Sequence, residues 1–180
     1  MIEIRIHGRG GQGVVTSGQL IAIAAFYDGK HTQSFPMFGV ERGGAPVEAY
    51  ARISAEKIRV RSQIYNPDIV LVLDSSLIGA VDITKGLKKG GLIIVNTSKK
   101  PAELKIKGNF KIYCIDALSI SMEIFGRPIV NTPILGAFSA FTKHISLESL
   151  YKALDERFEG KGKLIELNKT AIKKVFDSCK

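Results

Sequence analysis

Gly8-Arg-Gly-Gly-Gln-Gly13 sets three glycines, Gly8, Gly10 and Gly13, in the G-x-G-x-x-G spacing between an alternating apolar stretch and a helical one. Glycines there permit a tight turn, close approach of backbone to a phosphate, and close packing of helix on strand. The N-terminus of the following helix adds unpaired N–H groups and a partial positive charge, so the chemistry on offer is the holding of an anion such as a phosphate-bearing cofactor. The same glycines could serve the turn alone. A second stretch, Phe38-Gly-Val-Glu-Arg-Gly-Gly-Ala-Pro46, is too rich in glycine and charge for packed structure. Its Arg42 could meet a phosphate or carboxylate as a bidentate fork, or Glu41 and Arg42 could pair with each other or with solvent. The third is Val130-Asn-Thr-Pro-Ile134, where Asn131 or Thr132 can cap a helix whose first position is Pro133. Capping explains it fully, yet it would also set the Asn131 amide beside another anion-friendly helix end.

Other chemistries find little support. A nicotinamide cofactor needs an acid ending the second strand, and His31-Thr-Gln-Ser-Phe35 has none; Asp28 lies at about the right distance but belongs to the Asp28-Gly29 turn before it. A stand-alone NAD-dependent dehydrogenase would also need an acid/base residue in its cleft, and none is recognisable. Two cysteines, Cys114 and Cys179, form no Cys-x-x-Cys pair, and His7, His31 and His144 are scattered without metal-ligand spacing. Cys114 reads as strand core and Cys179 as a frayed end.

The elements that must position these groups follow from periodicity. Residues 2–7 alternate as a strand, and Val14 to Tyr27 carries Leu20, Ile23, Ala24 and Tyr27 at helical spacing. A short strand is predicted over 31–35. Residues 47–53 and 57–61 both alternate, which predicts an antiparallel hairpin across Ser54-Ala55-Glu56. Continuous apolar runs at 68–73, 92–95 and 112–115 are the pattern of strands covered on both faces. Helices are predicted near 77–81 and over 117–125, 133–143, 147–158 and 163–176. With no repeat or linker, this reads as a single α/β domain over 1–180: Rossmann-like, largely parallel, helices on both faces, one antiparallel hairpin and a helical C-terminus.

The 180 residues are 45% hydrophobic and 24% charged, which suits one ordered domain and excludes disorder by composition. No apolar stretch reaches the length of a secretory h-region or a membrane span, so a soluble cytoplasmic protein without a membrane role is expected. The formal charge of +9 favours an anionic partner. Between Lys85 and Lys111 eight lysines face one acid, Glu103, forming either a solvated face or a docking surface. A nucleic-acid module would explain the charge, but apart from Phe110 no aromatics interleave these lysines and no known reading element is present. Phe35-Pro-Met-Phe38 predicts an apolar patch, unless its side chains fold back into the local core.

Taken together, Gly8-Arg-Gly-Gly-Gln-Gly-Val-Val-Thr-Ser-Gly-Gln-Leu20, Ser34-Phe-Pro-Met-Phe-Gly-Val-Glu-Arg-Gly-Gly-Ala-Pro-Val-Glu48 and Asn131-Thr-Pro-Ile-Leu-Gly136 resemble the gamma chain of pyruvate:ferredoxin oxidoreductase, or pyruvate synthase. The resemblance spans nearly the whole chain, and similar gamma chains serve branched 2-oxoacids, 2-oxoglutarate or indolepyruvate. It implies one subunit of an enzyme that decarboxylates pyruvate on thiamine diphosphate with magnesium, passes electrons through iron–sulfur clusters to ferredoxin, and delivers acetyl to coenzyme A. This chain, lacking cluster cysteines and a Gly-Asp-Gly motif, would leave those cofactors to alpha, beta and delta partners and would contribute to coenzyme A binding and closure of the thiamine site. The positions matching the family's coenzyme A contacts are Gly11, Gln12 and Gly13 in the first turn, Arg42 and Gly43 in the second loop, and Asn131. No catalytic or metal-ligating residue is expected on this chain.

Overall fold

The computed structural model describes residues 1–37 and 43–179. Six strands form one sheet: β1 (Ile2–Arg9), β2 (His31–Pro36), β3 (Pro46–Ser54), β4 (Ile69–Val72), β5 (Leu92–Asn96) and β6 (Lys111–Ile115), in the order β2-β3-β1-β4-β5-β6. β1, β4, β5 and β6 pair in parallel, and β3 lies between β1 and β2, antiparallel to each. Five strands thus run one way and β3 alone runs against them.

The antiparallel element expected at 47–61 is half correct. Residues 57–61 form no strand and lie largely in solvent, because both edges of β3 are already taken, by β1 from Ile2↔Ile53 to Arg9↔Pro46 and by β2 from His31↔Ser54 to Pro36↔Ala49. An alternating segment with no open edge beside it has nothing to pair with. The hairpin partner of β3 is β2.

Five α-helices follow: α1 (Val14–Tyr27), α2 (Ala117–Phe125), α3 (Ile134–Thr142), α4 (Leu147–Arg157) and α5 (Gly162–Ser178). Asp116 caps α2 by accepting the Ser119 N–H at 2.9 Å, and Ser146 caps α4 through the Ser149 N–H at 3.0 Å. Near 77–81 there is a 3-10 turn at Ser75–Leu77 instead of a helix, opened by Asp74, which accepts the Ser76 N–H at 2.9 Å.

Both faces of the sheet are covered, but unequally. Ile4, Ile6, Ala51, Leu71 and Ile94 pack beneath α1, α3, α4 and α5 in the main core. The alternate residues Val70, Val72, Ile93 and Val95 meet Ile83, Leu87 and Leu104, from the β4–β5 connection and a second 3-10 turn at Pro101–Leu104. Toward β3 this second face turns polar. Arg52, 1% exposed, binds Glu3 at 2.9 Å and Gln33 at 3.2 Å, and Arg5 donates to His7 at 3.1 Å and to the carbonyls of Ile83 and Lys85.

Smaller expectations are settled by packing. Phe35 folds back, its ring 5.3 Å from that of Tyr50 and from the Arg52 guanidinium, while Met37 stays exposed and accepts the Tyr50 hydroxyl at 3.3 Å. Phe38 lies outside the described residues. Cys179 is not frayed, since its thiol donates to the Val175 carbonyl at 3.1 Å and packs on the main core. Cys114 packs on the second-face core as expected. Among the described residues no helix is long and apolar enough to cross a membrane.

Candidate functional site

Connections leaving the sheet by opposite faces diverge between β1 and β4. From β1 the chain crosses the first face through α1 to β2, whereas from β4 and β5 it crosses the second face toward β6. Right-handed crossovers demand that split, and it opens a crevice at the carboxyl ends of the parallel strands, where open α/β sheets bind ligands. A cleft of about 420 Å³ lies there, lined by Gln12, Asp74, Asn96, Asp116, Ser119 and Val130 among others.

From the first turn Gln12 lines this cleft. Gly11 and Gly13 hold φ of +91° and +75°, the left-handed region that favours glycine. Gly13 is the N-cap of α1 with no side-chain cap, and no acid occupies the first turn, so the leading N–H groups face outward beneath an uncompensated helix dipole. Gly8 is confined for another reason, because a Cβ there would come 2.5 Å from Val14 Cγ2. Close packing of α1 on the sheet falls partly to Gly18, whose Cβ would sit 3.0 Å from Ser34 Oγ and 3.5 Å from the Tyr50 carbonyl.

Asn131 meets this turn directly. A Cβ on Gly13 would come 2.6 Å from Asn131 Nδ2, and the Asn131 carbonyl accepts the Ser17 hydroxyl at 2.9 Å. The capping role expected of Asn131 or Thr132 is not used: α3 starts at Ile134 behind Pro133 with no side-chain cap bond. Thr132 instead bonds the buried Asn168 through its hydroxyl. The Asn131 amide is therefore not consumed by helix capping.

The second loop joins the first turn at its far end. Gly10 N–H donates to the Ala45 carbonyl at 2.9 Å, and Gly44 N–H donates to the Gly10 carbonyl at 3.2 Å. Gly43, one residue before, is exposed with open space where a Cβ would be. Glu41 and Arg42 lie outside the described residues.

Asp74 also lines the cleft, Arg9 and Ser76 are bonded to it, and sequence reasoning passed over all three. Asp74 accepts Arg9 Nε at 3.1 Å and Gln12 Nε2 at 3.0 Å, while Arg9 Nη2 donates to Ser76 Oγ at 2.8 Å and Nη1 to the Gly44 carbonyl at 3.1 Å. Gln12 Oε1 accepts the Arg9 N–H at 2.8 Å. Partial burial raises the Asp74 carboxyl, but bonds from Ser76 and Gln12 and the Arg9 charge outweigh it and hold it below the usual range. An acid ending the apolar run 68–73 was the available signal. Asp28, weighed above as a ribose ligand, is spent elsewhere: it accepts the Ser146 N–H at 2.7 Å, the Ser146 hydroxyl at 2.8 Å and the Ser149 hydroxyl at 2.6 Å at the start of α4.

The sequence model of the pyruvate ferredoxin/flavodoxin oxidoreductase family matches residues 3–178. The chain belongs to this family. Pyruvate synthase subunit PorC of Methanocaldococcus jannaschii is 50% identical over 177 residues, covering 98% of this chain and 96% of the relative. The pyruvate/ketoisovalerate oxidoreductases common subunit gamma of Thermococcus kodakarensis is 51% identical over 180 residues, with the same two coverages of 98% and 96%. The crystal structure of pyruvate oxidoreductase subunit PORC from Thermotoga maritima superposes with a TM-score of 0.84 at 36% identity, covering 98% of this chain and 95% of that one. The chain is thus a gamma-type subunit of a pyruvate or 2-oxoacid ferredoxin oxidoreductase. In this family member Gln12, Gly13 and Asn131 stand together at the carboxyl edge with Gly11, and Gly43 adjoins the same turn through Gly44. Among the described residues no group of three or more His, Cys, Asp or Glu side chains could hold a metal ion.

Proposed function

We propose that this chain, as a single gamma-type domain, supplies part of the coenzyme A site of a multi-subunit pyruvate:ferredoxin oxidoreductase and helps close its thiamine diphosphate site. The observation that carries the reading is the contact between Gly13 and the Asn131 amide. It sets an amide that caps nothing against the open N-terminus of α1. Backbone N–H groups of Gly11 and Gly13, the helix dipole and that amide suit the phosphates of coenzyme A, with Arg42 and Gly43 following in the second loop. The Gln12 side chain is committed to Arg9 and Asp74 and its N–H donates to the Arg9 carbonyl at 3.0 Å, so its contribution is to hold the shape of the turn.

The decarboxylating and electron-carrying groups fall to partners in this reading. With two cysteines, one of them packed in the second-face core, the chain has no thiolate set for a cluster. Alpha, beta and delta subunits would hold thiamine diphosphate, magnesium and iron–sulfur clusters, and ferredoxin would accept the electrons in the cytoplasm. A second oxoacid is favoured by one specific fact: the Thermococcus kodakarensis relative is named as common to pyruvate and ketoisovalerate enzymes. The same gamma chain could then serve two oxoacid-binding partners, since the oxoacid is handled elsewhere.

The test is Asn131→Ala and Arg42→Ala in reconstituted enzyme. Each should raise the apparent KM for coenzyme A by about ten- to a hundredfold, the range of a lost charge-assisted contact. The KM for pyruvate, and the cluster reduction that precedes coenzyme A, should hold. Equal weakening of both substrates would assign these residues to the subunit interface instead.

A further inference from the structure

Arg9 lies where a phosphate-binding arginine would be sought, between the first two glycines of the turn, yet each of its three guanidinium nitrogens is bonded to the protein. Nε goes to Asp74, Nη2 to Ser76 and Nη1 to the Gly44 carbonyl, while its own N–H is held by Gln12 Oε1. Asp74 in turn fixes Gln12 Nε2 at 3.0 Å and the start of the Ser75–Leu77 turn through the Ser76 N–H. One guanidinium and one carboxylate therefore tie together three chain segments, residues 9–12, 43–45 and 74–76. Two backbone bonds between Gly10 and the pair Gly44 and Ala45 close the same junction.

We infer that Arg9 is a positioning residue for the anion site, clamped by Asp74 so that the first turn and the base of the second loop keep one register. The inference rests on the coenzyme A reading above. Arg9 cancels the Asp74 charge beside the site and leaves anion binding to backbone and to Asn131. Two effects then oppose each other in an Asp74→Asn variant. Loss of a negative charge next to the site should tighten an anion, while loss of the clamp should loosen the wall that holds it. The clamp prevails in this assignment, because three segments depend on it.

The experiment uses the assembled enzyme with Arg9→Lys, Arg9→Ala, Asp74→Asn and, in parallel, Asn131→Ala. Arg9→Ala should raise the KM for coenzyme A about tenfold and Asp74→Asn about three- to tenfold, with Arg9→Lys between wild type and Arg9→Ala. The KM for pyruvate should stay put. Amide exchange at Gly10 and Gly44 should speed up in Arg9→Ala and Asp74→Asn while global melting changes little. A lower coenzyme A KM in Asp74→Asn overturns the clamp, as does unchanged exchange at Gly44 in both variants. Should Asn131→Ala also leave the coenzyme A KM untouched, the site reading fails; should Asn131→Ala alone act, only the clamp fails. If Arg9→Ala does not assemble, Arg9→Lys and Asp74→Asn still decide.

Discussion

At the scale of single residues, the glycine turn separates two reasons for glycine. Gly11 and Gly13 both carry positive φ, and an alanine at either should cost roughly 1 kcal/mol of stability on backbone grounds. Only at Gly13 does the new methyl strike anything, since Gly11 has open space and Gly13 has the Asn131 side chain. Gly11→Ala and Gly13→Ala are therefore expected to lower the melting temperature alike, while only Gly13→Ala displaces the amide and weakens coenzyme A in the reconstituted enzyme. Equal KM changes would detach Asn131 from the ligand. His7 offers a second residue-level test. Burial chiefly, opposed by Glu48 and reinforced by the Arg5 guanidinium, lowers its pKa from 6.5 to about 4. The unfolded chain then binds the proton first, so stability conferred by neutral His7 is complete above pH 6.5 and is lost as pH falls toward 4. That loss is up to about 3 kcal/mol, to be read as the slope of melting temperature against pH, and His7→Gln should flatten it. The Arg9 and Asp74 partnership could not be read from sequence, because 65 positions separate its members and only folding shows that β1 and β4 end side by side.

Elements were legible in proportion to how local their causes are. β1, the glycine turn and α1 declare themselves within 26 residues, and the buried runs of β4, β5 and β6 announce a parallel sheet without revealing its order. Alternation in residues 57–61 misled because it reports a face, whereas pairing needs a free edge, and β3 had none to give. The site was legible as three motifs and not as one place, since Asn131 reaches Gly13 only through the docking of α3. That docking rests on Gly136, whose added Cβ would lie 2.2 Å from the Ile172 carbonyl and 2.9 Å from the Phe176 nitrogen on α5. Alanine inside a helix ordinarily gains up to about 1 kcal/mol over glycine. Here the obstacle is backbone, so Gly136→Ala should instead destabilise by about 2 kcal/mol or more in chemical denaturation. A stabilised variant would mean that α3 and α5 part easily.

For the whole molecule, membership in a subunit family makes isolation the telling state. The purified chain alone is expected to give no pyruvate oxidation with a viologen acceptor, and activity should return on adding partner subunits; turnover by the single chain would sink the proposed division of labour. Charge is not evenly held in this body. Lys152, Lys169, Lys173 and Lys174 on α4 and α5 each meet an acid, while in the run from 85 to 111 Lys88 meets Asp68 and the run divides between the two ends of β5, with Lys88, Lys89 and Lys111 lining one pocket below it. A linear cluster is thus not one patch, which sequence alone had no means to show. The place of β1 has a consequence for synthesis. Its partners are β3 and β4, residues 46–54 and 69–72, and never the strand that follows it in the chain. A ribosome that has released residue 54 has delivered three strands in the order β2-β3-β1, and β1 still offers a bare edge to any other chain nearby. That edge closes only once Val72 has emerged, so a pause in synthesis while residues 55–72 are still inside the ribosome would prolong exposure to misassembly, and one after Val72 has emerged would not.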